Sequence, residues 1–204
     1  MRPAHALAAA ILALVSGCAL TQKSKPLEVT YYTPEYIRTG VESPQTAPGP
    51  ALRLGRVASG TDLGQRIVAR DGSYEVGYYD GRRWTERPQV YVQRALSRTL
   101  FEESGFHRAL GGDAPELDVE VLSFEEVTTP ARHAARITLR LILSADRVLF
   151  EDTVAVSEPV AGSHFDDVVA AMARALGTLS DEVARRVGSA LRSRAPTVGA
   201  PGAE

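Results

Sequence analysis

Hydrophobic positions recur along this chain with two different periods, and each change of period marks out an element. Alternation of period two, expected of a half-buried strand, runs through Ala51-Leu52-Arg53-Leu54-Gly55-Arg56-Val57. It returns at Leu117, Val119 and Val121, which alternate with Asp118 and Glu120. Ile137, Leu139, Leu141 and Leu143 repeat it between Arg136, Thr138 and Arg140, as do Val148, Phe150, Val154 and Val156, interrupted by Asp152. These last two runs are joined by Ser144-Ala145-Asp146-Arg147, which is too short for anything but an antiparallel turn. Val29-Thr30-Tyr31-Tyr32 is a brief β-prone stretch halted by Pro34. Gln65–Arg70 and Tyr74–Tyr79 flank Asp71-Gly72-Ser73, and an Asp-Gly step between two such runs predicts a hairpin, because glycine accepts a positive φ.

Helical spacing takes over twice. Val92, Leu96 and Leu100 lie four apart, with Thr85 as the expected cap and Gly105 as the stop. Phe165, Val168, Val169, Met172, Leu176, Leu179, Val183, Val187 and Leu191 then form one stripe of a long amphipathic helix. Ser163 and Asp166 give it a capping-box-like start, with the carboxylate favoured at the helix amino terminus. Its polar face mixes Asp181, Glu182, Arg185 and Arg186, whereas a membrane-surface helix is uniformly basic there. Covering a sheet is therefore its expected task. Strands, helix, strands, helix in that order predict an α+β fold, a two-layer α/β sandwich whose mostly antiparallel sheet is covered by two helices. The charged outer faces of the last two strands predict that one side of that sheet meets water or a polar partner.

The folded body is expected over residues 51–193. Ser43 to Pro50 is too rich in proline to sustain a helix or a ladder and reads as a loop, and residues 194–204 read as a mobile tail. With 204 residues, 24% charged and 44% hydrophobic, the chain fits a single domain with flexible ends and excludes both overall disorder and a polytopic membrane protein. A net charge of −2 lacks the basic excess that binding to a nucleic-acid backbone requires.

The amino-terminal residues have their own pattern. Met1-Arg2-Pro3-Ala4-His5 is a short basic start, followed by an apolar run from Ala6 to Val15. That run is well short of the roughly 20 residues needed to span a bilayer, so residues 1–17 read as a signal peptide. Its ending, Leu14-Val15-Ser16-Gly17-Cys18, matches the bacterial lipobox and resembles a lipoprotein precursor. That resemblance implies transfer of a diacylglyceryl group to the Cys18 thiol, cleavage before Cys18 and acylation of the new amino terminus. Two or three chains hold where one does so only marginally, since each buried CH2 contributes ~0.8 kcal/mol. Ala19, rather than Asp, follows the cysteine, which implies sorting to the outer membrane. Residues 18–50 then form a lipidated cysteine, a tether and the proline-rich loop. As the only cysteine, Cys18 has no partner for an internal disulfide or a CxxC pair.

Candidate chemistry is sparse. The sequence contains no GxSxG, Walker A, GxGxxG or HExxH pattern. His107, His133 and His164 are spaced without any metal-ligand logic and read as surface or capping residues. Glu125-Glu126 could be imagined as an acid and a base, but neighbours in a strand point to opposite faces. Asp166-Asp167 sit where a helix dipole favours acids without catalysis. No catalytic residue, metal site or cofactor is assigned, and no enzymatic activity is expected. Tyr74, Tyr78, Tyr79 and Trp84 form an aromatic cluster of the kind that anchors interfaces. Tyr78, Tyr79 and Trp84 are the expected partner contacts, with burial in the core the other reading for Trp84.

The lipobox, Tyr31-Tyr32, the strand from Leu52 to Val57, Arg66-Ile67-Val68-Ala69-Arg70, Tyr74-Glu75-Val76 and Trp84-Thr85-Glu86-Arg87-Pro88 follow one another in a familiar order. The series resembles the ABC-type transport auxiliary lipoprotein family, which includes the lipoprotein of the paraquat-inducible system. Arg87-Pro88 and the proline-rich insertion before Ala51 depart from that family's pattern. The resemblance implies a fold similar to the TolB amino-terminal domain. It also implies an outer-membrane lipoprotein, anchored at the periplasmic face, that works beside an MCE-domain protein, a permease and an ATPase to move lipid between membranes. It carries no catalytic residues, and a homo-oligomer is compatible with it. The alternative is a lipoprotein regulator of a peptidoglycan synthase, which favours a longer tether than the stretch between Cys18 and Ala51.

Overall fold

The computed structural model describes residues 27–35, 49–72 and 74–194. The signal peptide, Cys18, the tether as far as Pro26, most of the proline-rich loop and the tail beyond Arg194 lie outside the described residues. The elements are β1 (Thr30–Tyr32), β2 (Ala51–Ser59), β3 (Arg66–Asp71), β4 (Glu75–Trp84), α1 (Pro88–Arg98), β5 (His107–Arg108), β6 (Glu116–Thr129), β7 (Arg132–Ser144), β8 (Val148–Pro159) and α2 (Phe165–Arg194). They form an α+β fold in which two helices cover an open sheet of eight strands.

The sheet is organised about β6. One edge of β6 pairs antiparallel with β7 along nearly its whole length, and β7 pairs antiparallel with β8. Its other edge is shared: β2 runs parallel to Glu116–Val121, and β3 takes over, also parallel, from Glu125 to Thr128. A register irregularity between Val121 and Ser123 falls at the handover. β3 continues into the expected hairpin with β4, where Asp71 faces Glu75 and Gly72 takes a φ of 74°. β1, placed before the body by the sequence reading, joins the sheet parallel to Arg82–Trp84 of β4. The long ladders are antiparallel as expected, whereas the parallel pairings of β6 are visible only in three dimensions.

Burial follows the two periods. Leu117, Val119 and Val121 of β6 and Ile137, Leu139, Leu141 and Leu143 of β7 are almost fully buried. α2 packs on β7 and β8 and against α1 through Phe165, Val168, Met172, Leu176, Leu179, Val183, Val187 and Leu191. Each large side chain so buried stabilises the fold by roughly 1.5–3 kcal/mol. Among the described residues β8 pairs with β7 on one side only, and no described strand pairs with its other edge. Its acids are held by arginines of its neighbours: Glu151 by Arg140 at 2.5 Å, Asp152 by Arg186 and Glu158 by Arg174 at 3.9 Å.

Both helix starts differ from expectation. Thr85 does not cap α1, whose amino-terminal flank is Arg87 without a side-chain cap bond. Pro88 opens the helix instead, because its fixed φ suits the first turn and its missing N–H is one that the helix would leave unpaired anyway. Thr85 Oγ1 instead lies 2.7 Å from the Tyr91 hydroxyl and 2.8 Å from Thr33 Oγ1, stitching the end of β4 to α1 and to the segment after β1. At α2 the cap is displaced by one residue from Ser163 and Asp166. The Asp167 carboxylate accepts the His164 N–H at 3.0 Å, the reach-back half of a capping box. α1 ends in a π-helical turn, Thr99–Glu103, closed by the Ser104 N–H on the Thr99 carbonyl at 2.8 Å. Gly105 follows with a φ of 74°.

Trp84 lies in the core beside α1. It is fully buried, edge-on to Phe124 at 5.6 Å and to Tyr91 at 6.4 Å. This corrects its expected role as a partner contact, since the last residue of β4 faces inward beneath α1. Trp84→Ala is expected to lower unfolding free energy by about 3–5 kcal/mol in urea denaturation, the usual range for removing a buried aromatic. Trp84→Phe is expected to cost clearly less, because the indole N–H has no acceptor among the described residues to lose.

Candidate interaction surface

The helices cover one face of the sheet and leave the other to solvent, so strand alternation alone decides which polar side chains are offered to a partner. On the uncovered face the charges of neighbouring strands meet in register. Glu116 pairs with Arg53, and the Asp118 carboxylate accepts the Arg56 backbone N–H at 2.7 Å. Arg140 lies 3.6 Å from Glu120 and 2.5 Å from Glu151. Glu151, foremost by hydrogen bonding, holds the Arg140 guanidinium above its ordinary pKa. The Ser123 hydroxyl donates to Thr138 Oγ1 at 2.8 Å. A shallow concavity of about 470 Å³ opens among Arg56, Ser59, Asp118, Glu120 and Arg140. Exposed pairs of this kind add little to stability; they define a patterned polar surface.

Glu125 and Glu126 are buried, although three further residues of β6 follow them. As expected, they point to opposite faces, and each finds its own partners. Arg70 reaches Glu125 at 3.0 Å from β3 and Arg136 reaches it at 2.9 Å from β7, so the two guanidiniums flank one carboxylate. Glu126, on the helix side, accepts the Tyr79 hydroxyl and lies 2.6 Å from His133 Nε2. His133, read from the sequence as an ordinary surface residue, is half-buried and tied to this acid. Arg70, Arg136 and Glu125 went unnoticed as a group because their contacts span strands distant in sequence. The one available signal was the alternation of charge at matching positions of adjacent β-prone runs.

The aromatic residues separate. Tyr78 is half-buried on the uncovered face with the Arg66 guanidinium 4.0 Å from its ring centre. Tyr79 turns inward and meets Phe165, the first residue of α2, edge-on at 4.9 Å, while Tyr32 meets the same ring at 4.7 Å. Arg82 stacks over Phe165 at 4.3 Å. Tyr74 is almost wholly exposed at the hairpin. Trp84, in the core, joins neither group. His107 and His164 are exposed. Among the described residues no group of His, Cys, Asp or Glu is placed to hold a metal. Cys18 lies outside the described residues.

Burial, reinforced by the hydrogen bond to Glu126, pushes the Tyr79 phenol up from 10.0 to about 12. The neutral phenol is thus favoured in the folded state. Its contribution is intact below pH 10 and is lost between pH 10 and about 12, where the unfolded chain ionises first. Denaturation across that window should show stability falling with pH, and Tyr79→Phe should remove this component. At neutral pH the same variant should cost about 1–3 kcal/mol, because the buried Glu126 carboxylate loses a donor.

The fold has solved relatives. Protein XCC0632 of Xanthomonas campestris, from family DUF330, superposes with a TM-score of 0.71 at 20% identity, over 82% of this chain and 100% of its own. Hypothetical protein CT253 of Chlamydia trachomatis superposes with a TM-score of 0.50 at 12% identity, over 72% and 100% respectively. At these identities the likeness is one of fold. No curated protein matches the chain in sequence. No helix among the described residues is long and apolar enough to cross a membrane. The model of the ABC-type transport auxiliary lipoprotein component matches residues 36–184, from just after β1 through the first two thirds of α2 and including every buried residue of β6 and β7, and the chain belongs to that family.

Proposed function

We propose that this protein is a non-catalytic auxiliary component of an MCE-type ABC transport system that moves lipids between the membranes of the cell envelope. In this reading it is held by an acylated Cys18 at the periplasmic face of the outer membrane. The observation that carries the reading is the family match over residues 36–184 in a chain whose leader ends Leu14-Val15-Ser16-Gly17-Cys18-Ala19. An auxiliary component acts by docking, and the uncovered sheet face supports that role. Its charges are arranged in cross-strand pairs that can exchange partners with a complementary surface, which gives specificity more than raw affinity.

Tyr78 is the aromatic of the expected contact set best placed to serve on that face. It is half-buried beneath Arg66, so its rotamer is already restricted and little is lost on binding. Tyr79 and Trp84 support it from within, through Glu126 and through the core.

Anchoring is checked by replacing Cys18. Cys18→Ala should let a salt wash release the protein from the membrane fraction into the soluble fraction, where the acylated protein stays bound; retention of the variant through the wash would sink this part of the proposal. Docking is checked by cross-linking in cells followed by co-purification with the MCE-domain protein, the permease and the ATPase. Tyr78→Ala should weaken that association by about 2 kcal/mol, some thirtyfold in Kd, as an interface anchor does. Recovery of a peptidoglycan synthase in place of the transport proteins would overturn the assignment.

A further inference from the structure

The chain enters the fold at one corner of the sheet, where exposed apolar side chains and arginines come together. β1 lies at the far end of the strand order, with β8 on the opposite edge. The register aligns Tyr31 of β1 with Arg83 of β4 and Arg83 with Arg66 of β3, one row across three strands. Leu27 is 63% exposed and Tyr31 59% exposed beside it. Arg136, Arg140, Arg174 and Arg186, in or over β7 and β8, are matched by carboxylates, whereas Arg132 and Arg147 at the strand ends have none within ion-pair distance among the described residues. Arg66, Arg82 and Arg83 have no carboxylate within ion-pair distance among the described residues; they lie over Tyr78, over Phe165 and on the Tyr79 carbonyl. Glu28 and Asp80 are exposed nearby.

We infer that this β1 corner rests on lipid headgroups of the leaflet that carries the anchor, so that the sheet stands edge-on to the membrane. The inference rests on the acylation of Cys18 proposed above. Chain length supports it, because the stretch from Cys18 to Leu27 can reach no more than about 32 Å even when fully extended. β1 therefore stays within that reach of the membrane, while β8 lies five strand spacings, about 24 Å, across the sheet from it. Chemistry supports it as well. Guanidiniums bind phosphate oxygens, and tyrosine and leucine side chains settle at the boundary between headgroups and acyl chains. An edge-on stance also leaves the uncovered face of β6, β7 and β8 clear for a protein partner.

The test uses the full chain acylated at Cys18 in vesicles of phosphatidylethanolamine with about one third phosphatidylglycerol. A fluorophore is attached through Thr30→Cys on β1 or, as a control, through Val148→Cys on β8. A headgroup spin label should quench the first and spare the second. Equal quenching at both sites, or quenching at Val148→Cys alone, overturns the inference. In a second arm, the Cys18→Ala protein is mixed with the same vesicles. It should bind, and Arg66→Gln with Arg82→Gln should lower partition by about 25-fold, at roughly fivefold per basic side chain, with an unchanged circular dichroism spectrum. No binding, or binding indifferent to both arginines, also overturns it. Mass analysis of Cys18 separates the two ideas: an unmodified thiol removes the anchor, while the second arm still decides whether the corner holds lipid.

Discussion

The apolar stripe of α2 must be buried, and the helix-side face of β7 and β8 is what buries it. Thirty residues of helix lie along these strands and meet α1 on the other side. Without that contact, a row of branched side chains from Ile137 to Leu143 would face water. With it, β7 is fixed, β6 is fixed by β7, and the two parallel strands on the far edge of β6 acquire something to pair with. Isolated β2 or β3 could not form such ladders, because a parallel pair needs a long crossover and a covering layer to be stable. The amino-terminal half of the fold thus depends on the carboxy-terminal half.

That dependence explains what the sequence discloses. The elements are legible because the periods of two and 3.6 reflect local geometry: β2, the β3–β4 hairpin, β7, β8 and the α2 stripe all stand where the pattern puts them. Pairing across distance is not legible. Nothing in Leu52 to Val57 or in Arg66 to Arg70 says that both will share one edge of the same strand, or that the handover will fall near Leu122. Local competition accounts for the displaced caps. Thr85 has a capping side chain, but Pro88 already satisfies the first turn, which frees the hydroxyl for Tyr91. Trp84 was ambiguous between surface and core because a strand-end tryptophan carries both signals, and only the depth beneath α1 decides.

The surface follows the same logic at the level of charge. Glu125 and Glu126 are adjacent and chemically identical, yet one answers to two arginines and the other to a phenol and an imidazole, because a strand sends neighbours to opposite sides. Composition shows a balanced chain; only the sheet register shows that Arg136 and Arg140 meet Glu125, Glu120 and Glu151 across β6 to β8. The family assignment gives this distribution a setting, since a component that works by contact needs distinct surfaces for distinct neighbours.

β8 has a consequence for crowding. A protein confined to a two-dimensional layer meets copies of itself far more often than one diffusing in bulk, and a bare twelve-residue edge would recruit further chains strand by strand into a growing fibre. Here Glu151, Asp152 and Glu158 are each gripped by an arginine from the neighbouring strand or the overlying helix. An arriving backbone must push those charged side chains aside before it can zip on. The same ion pairs that add little to folding thus raise the cost of strand-by-strand addition at that edge, like a guard rail.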